Sequence, residues 1–150
     1  MTQRTVTHAM FAIERIYPAK PARVFRAFAD PAAKAAWFGG PDEWAQGEKS
    51  MDFRVGGREV NAGGPVGGTV HRFDALYYDI IENERIVYTY EMHLDEVRIS
   101  VSLATIELKP HAEGTRLVMT EQGAFLDGFD GAAGREEGTR ELLEKLAHSL

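Results

Sequence analysis

Ile86-Val87-Tyr88-Thr89-Tyr90-Glu91-Met92 puts Ile86, Tyr88, Tyr90 and Met92 on one parity and Val87, Thr89 and Glu91 on the other. Successive side chains of a strand point to opposite faces, so this period of two predicts a strand with one buried face. Antiparallel sheets are the kind that bury one face and wet the other. Turn residues bracket the stretch, Glu82-Asn83-Glu84 before it and His93 to Glu96 after it.

Reading outward, Val97, Ile99, Val101 and Leu103 alternate with Arg98, Ser100 and Ser102. At Ala104 the apolar phase slips, and Ile106 and Leu108 become the apolar set. A one-residue slip predicts a bulge and a bend within one long strand. Pro110 to Gly114 is a turn, and Thr115, Leu117 and Met119 form the last strand. On the other side, Thr69 to Ile80 reads as a long strand. Phe53 and Val55 share a face of another, ahead of a hairpin-type turn at Gly56-Gly57. Asn61 to Gly68 is Gly-rich but short and flanked by strands, so it reads as a loop rather than a linker.

The flanks are different. Val6 to Tyr17 is a strand that ends at Pro18. A helix follows, with Pro21 in its first turn and Val24, Phe25 and Phe28 on one face. Asp30 caps a second helix that Pro31 starts and Gly39-Gly40 ends. From about Ala132 the spacing of Leu142, Leu143, Leu146 and Leu150 is helical, with Gly134 and Gly138 on the face of Leu142. The order is one strand, two short helices, six strands and a long helix. Hairpin-linked strands with segregated helices make an α+β fold: a curved antiparallel sheet around a long C-terminal helix, with two short helices after the first strand.

The 150 residues suit one domain spanning 1–150. Lys plus Arg number 17 against 23 Asp plus Glu, a net charge of −6 with no basic stripe, so no nucleic-acid partner is expected. The absence of cysteine excludes disulfides, thiolate metal sites and thiol nucleophiles. Met1 to Met10 is polar and mixed, unlike a signal peptide, and no apolar run approaches the roughly 18 residues that span a bilayer. A cytoplasmic protein with no membrane insertion is the expectation. A homodimer is compatible with the sequence and not required by it.

Four stretches carry a family resemblance: Phe11 to Ala19 running into Val24 to Phe28; Asp30-Pro31 with Trp37-Phe38-Gly39-Gly40; Phe53 to Gly57; and Thr120-Glu121-Gln122 leading to Arg135-Glu136-Glu137-Gly138, Leu142 and Leu146. Together they resemble the SRPBCC superfamily (START and pollen-allergen Bet v type), in the AHSA-like branch named for homologues of the heat-shock chaperone ATPase activator. The resemblance covers nearly the whole chain. It implies a helix-grip fold with a cavity between sheet and helix. Members bind lipids, sterols, hormones or polyketides, and some are cyclases, dehydratases or hydrolases. That branch often carries a Trp after the glycine matching Gly138, where this chain has Thr139. The chaperone role does not carry over, because fold alone does not fix function.

Within that fold, Tyr88, Tyr90 and Met92 with Leu117 and Met119 either line an apolar pocket or pack as plain core. Phe73 and Leu142 join the candidate ligand-binding set. Trp37 and Trp44, with Phe38 around Gly39-Gly40-Pro41, form either a lid or an anchor for the helix end. Phe125, Leu126 and Phe129 gate the mouth, make a dimer contact or cover core. Glu121 is in phase with Leu117 and Met119, so it points inward, as a polar handle, a general base, or one half of a salt bridge to Arg15 or Arg135. Arg54 and Arg98 are alternative inward charges. No His pair has metal-ligand spacing, and His71 is the alternative acid or base. A Gly-rich phosphate loop is rejected at Gly63 to Gly68, because the Lys is missing and a strand follows. The sequence reading is a binder of a small hydrophobic, lipid-like or aromatic molecule without a cofactor or metal. Its rivals are a cofactor-independent cyclase, dehydratase or hydrolase using Glu121 or His71, and a protein-interaction module.

Overall fold

The computed structural model describes residues 4–129 and 131–150, so the first residues of the polar N-terminal stretch lie outside the described residues. The elements run β1 (Val6–Tyr17), α1 (Pro21–Ala29), α2 (Pro31–Ala35), β2 (Ala45–Met51), β3 (Arg58–Gly64), β4 (His71–Ile81), β5 (Arg85–Leu94), β6 (Val97–His111), β7 (Gly114–Leu126) and α3 (Ala132–Ser149). Among the described residues, seven strands form one curved antiparallel sheet in the order β1-β7-β6-β5-β4-β3-β2. Every neighbour except β1 against β7 is joined by a local connection. That one long-range pairing brings the first strand beside the last.

Local chemistry explains the helical corner. Pro21 sits in the first turn of α1. The Asp30 carboxylate accepts a hydrogen bond from the Ala33 N–H at 2.9 Å and caps α2. The Trp37 indole N–H donates to the Ala27 carbonyl at 2.9 Å, which fixes the end of α2 against α1. The C-terminal half of α3 is anchored as well. Leu143 and Leu146 are buried in the core with Ile13, Ile106 and Leu117, and the Tyr17 hydroxyl donates to the Leu143 carbonyl at 2.9 Å.

Three expectations are corrected. The first middle strand is Ala45–Met51, and Phe53 to Gly57 is the connection that follows it. Phe53 still packs inward against Phe25 and Tyr77, while Val55 is exposed, so the two do not share a face. Gly56 takes a left-handed φ of 84°, which the tight turn needs. Second, β6 has no phase slip at Ala104. Ser100, Ser102, Ala104, Ile106 and Leu108 form one buried row, and Val101 and Leu103 face out. The irregularity lies earlier, where Met92 pairs Ser100 and His93 pairs Arg98, leaving Ile99 as the extra residue. A second register shift leaves Tyr78 unpaired in β4. Third, Arg54 and Arg98 point outward and pair with Asp52 and Glu91 at the surface. Among the described residues, no helix is long and apolar enough to cross a membrane.

Candidate functional site

Between the concave face of the sheet and the N-terminal half of α3 lies a pocket of about 720 Å³. Its sheet wall follows from strand parity. Phe73 of β4, Tyr88, Tyr90 and Met92 of β5, and Met119 and Glu121 of β7 all point to the concave face. The rings of Phe73 and Tyr90 lie 5.0 Å apart and those of Tyr88 and Tyr90 6.0 Å apart, a continuous aromatic surface. The helix wall combines the side chains of Arg135, Thr139 and Leu142 with two glycines. Gly134 and Gly138 border the pocket, and a Cβ on either would meet no atom within 4 Å. Leu142, one turn on, closes that side.

Of the ten residues that the sequence nominates, nine line this pocket: Trp37, Trp44, Phe73, Tyr88, Tyr90, Met92, Met119, Glu121 and Leu142. Trp37 is buried and tied to α1, so it acts as an anchor that shows one side to the pocket. Trp44 is half-buried and stacks on His71 with ring centres 4.6 Å apart. The Trp44 ring lies so close over Gly40 that any side chain there would collide with it. Phe125 is placed elsewhere. It is buried at the end of β7 under the Arg135 guanidinium, 5.1 Å from its ring centre, outside the pocket lining.

Glu121 is 3% exposed. Its Oε1 accepts a short hydrogen bond from the Tyr90 hydroxyl. Arg135 does not reach the carboxylate directly. It donates from Nη1 to the Tyr90 oxygen at 3.2 Å and from Nη2 to the Ser100 hydroxyl at 2.9 Å. Burial therefore pushes the Glu121 carboxyl above its ordinary value, and Tyr90, Arg135 and the Thr139 hydroxyl offset this only in part. Burial likewise raises the Tyr90 phenol, and the neighbouring Glu121 charge adds to it. The arrangement places a fixed positive charge beside a buried carboxyl and phenol whose pKa values are both raised.

A second buried cluster stands at the α2 side. Lys34 Nζ lies 2.5 Å from Glu59 Oε1, which also accepts from the Tyr77 hydroxyl. The ammonium sits over the Phe38 ring, 4.4 Å from its centre, and borders the pocket. Desolvation pulls its pKa below the ordinary lysine value, and Glu59 opposes that. The sequence reading missed Lys34 and used Arg135 only as a partner for Glu121. Helical spacing carries both signals: Lys34 is three and four residues before Trp37 and Phe38, and Arg135 is three before Gly138. Among the described residues, no three His, Asp or Glu side chains gather where one metal ion would be held.

Residues 18–150 match the profile of the family described as Activator of Hsp90 ATPase homolog 1-like protein. No curated protein matches the chain. Among solved structures, a protein from Rhizobium loti is 51% identical over 97% of this chain and 99% of its own, with a TM-score of 0.91. An uncharacterized protein from Rhizobium leguminosarum is 44% identical over 99% and 97%, with a TM-score of 0.94. A protein from Chromobacterium violaceum is 28% identical over 93% and 94%, with a TM-score of 0.78. With its sheet-and-helix architecture and a profile match from Pro18 to the last residue, the chain belongs to the Activator of Hsp90 ATPase homolog 1-like family, an SRPBCC-type fold.

Proposed function

We propose that this protein binds a small hydrophobic molecule, lipid-like or aromatic, in the pocket between the sheet and α3. The carrying observation is the pairing of a continuous aromatic wall with a helix whose Gly134 and Gly138 add no side chain, around a pocket of about 720 Å³. Packed cores do not leave such space, and small-molecule sites span about 300–1,000 Å³. The family commonly binds hydrophobic ligands, which supports the same reading. Burial of the ligand supplies most of the affinity, at about 25 cal/mol per Å² of apolar surface. The Tyr90–Glu121 pair orients its polar end.

Native mass spectrometry of the purified protein, with titration of an anilinonaphthalene dye, tests this. The wild type is expected to carry a co-purifying mass or to bind the dye saturably. Gly138→Leu, which projects a side chain into the open space, should weaken binding at least about tenfold while the protein stays folded, one tenfold step being about 1.4 kcal/mol. Equal dye binding in the two proteins, or no saturable binding in the wild type, overturns the proposal.

A further inference from the structure

Arg135 is the unusual member of the pocket. A guanidinium has five N–H donors, and here two are committed, both to neutral hydroxyls, Tyr90 and Ser100. Its Cζ lies 5.6 Å from the centre of the Tyr90 ring and 5.1 Å from that of the Phe125 ring. Among the described residues it makes no ion pair with a carboxylate. It borders the pocket beside Glu121, whose carboxylate is buried without a direct cation. The pair therefore offers a fixed positive charge with unused donors next to a buried acid whose pKa burial raises.

We propose, resting on the binding reading above, that the ligand is an apolar monocarboxylic acid whose carboxylate docks between Arg135 and Glu121. The ligand's carboxylate takes unused Arg135 N–H groups and accepts a hydrogen bond from a protonated Glu121, while Tyr90 continues to donate to the other Glu121 oxygen. Its alkyl or aryl body lies along Phe73, Tyr88 and Met119. An ammonium head is disfavoured, because it would face the guanidinium and find no ionised partner in a protonated Glu121. A neutral alcohol fits the same apolar walls but offers Arg135 a single uncharged acceptor in place of two oxygens sharing a negative charge. Buried groups left unpaired are what discriminate between such near-isosteres.

The chemistry predicts proton linkage with a definite sign. An ionised Glu121 beside a ligand carboxylate is repulsive, so the complex needs the Glu121 proton. Binding is strongest below the Glu121 pKa of the folded protein, which burial raises, and weakens by about tenfold for each pH unit above it. The groups facing Glu121 are Tyr88 and Tyr90 of β5 and Arg135 and Thr139 of α3. Its strand neighbours, Phe11 in β1 and Ala104 in β6, carry no charge. Lys34 and His71 also border the pocket.

The experiment is calorimetric titration with decanoate and decanol, and with 2-naphthoate and 2-naphthalenemethanol, across about pH 6–8, where the acids are ionised in solution. The wild type should prefer each acid over its alcohol at the low end, and that preference should decline with pH. Glu121→Gln should flatten the pH dependence of acid binding. Arg135→Gln should collapse the acid-to-alcohol affinity ratio by at least about tenfold, and Arg135→Lys should restore part of it. Circular dichroism checks that each variant folds. Alcohols binding as well as acids in the wild type, or a pH slope that survives in Glu121→Gln, overturns the carboxylate assignment and leaves hydrophobic binding standing. No binding by any of the four probes or by the dye overturns both.

Discussion

Lys34 and Glu59 have side chains only 8% and 5% exposed. Two charges so deprived of water are stable only because each answers the other and because Tyr77 satisfies the same carboxylate. Removing one partner strands the second, so Lys34→Met should destabilise the protein by about 3–5 kcal/mol in urea unfolding. Lys34→Met combined with Glu59→Gln leaves no buried charge, and the Gln amide oxygen still accepts from Tyr77. Most of the loss should therefore return. A double variant as unstable as the single would mean that packing around Lys34, not charge, holds this corner. The pair was not legible in the sequence for a simple reason. A lysine between alanines on a short helix usually faces solvent, and its partner lies on a strand 25 residues away.

At the scale of elements, α3 divides into two halves with different tasks. Leu143 and Leu146 pack into the core, whereas Gly134 and Gly138 add no side chain beside Arg135 and Thr139 at the pocket. Glycine inside a helix costs about 0.5–1 kcal/mol relative to alanine. Because a Cβ at Gly138 meets open space, Gly138→Ala should stabilise the protein by about that amount in denaturant titration, while reducing dye affinity. Stabilisation with undiminished binding would show that the ligand does not press on this face. Strand β5 and the helical period of α3 were legible because apolar side chains and burial coincide there. Strand β6 was not, because Ser100 and Ser102 occupy the buried row and Val101 and Leu103 the outer one. The two serines have different neighbours: Ser100 accepts from Arg135, and Ser102 lies beside Gly123. A pattern that equates apolar with buried inverts at such a strand and inserts a slip to recover.

Across the whole molecule, the sheet order places β1 and β7 in register over twelve pairs, while the opposite edge, β2, pairs only with β3 and is almost wholly exposed. Tyr17 and Arg23 tie the first strand and α1 to the far end of α3 through the Leu143 and Ser149 carbonyls. One side of the fold is thus closed by long-range contacts, and the other is built from local hairpins and the Trp44 segment that borders the pocket. Local opening draws on the regions with few buried contacts. Amide exchange should therefore be slowest in β5, β6 and β7 and fastest in β2 and the segment 39–49. Filling the pocket with a ligand should slow exchange at that segment and at the N-terminal half of α3, where the bare glycine backbone faces the bound molecule. The outer row that holds Met10, Val101 and Leu103 should keep its rates, because nothing in the pocket touches it. Protection that instead appears on that outer face would place binding on the convex side of the sheet and remove the pocket from the mechanism.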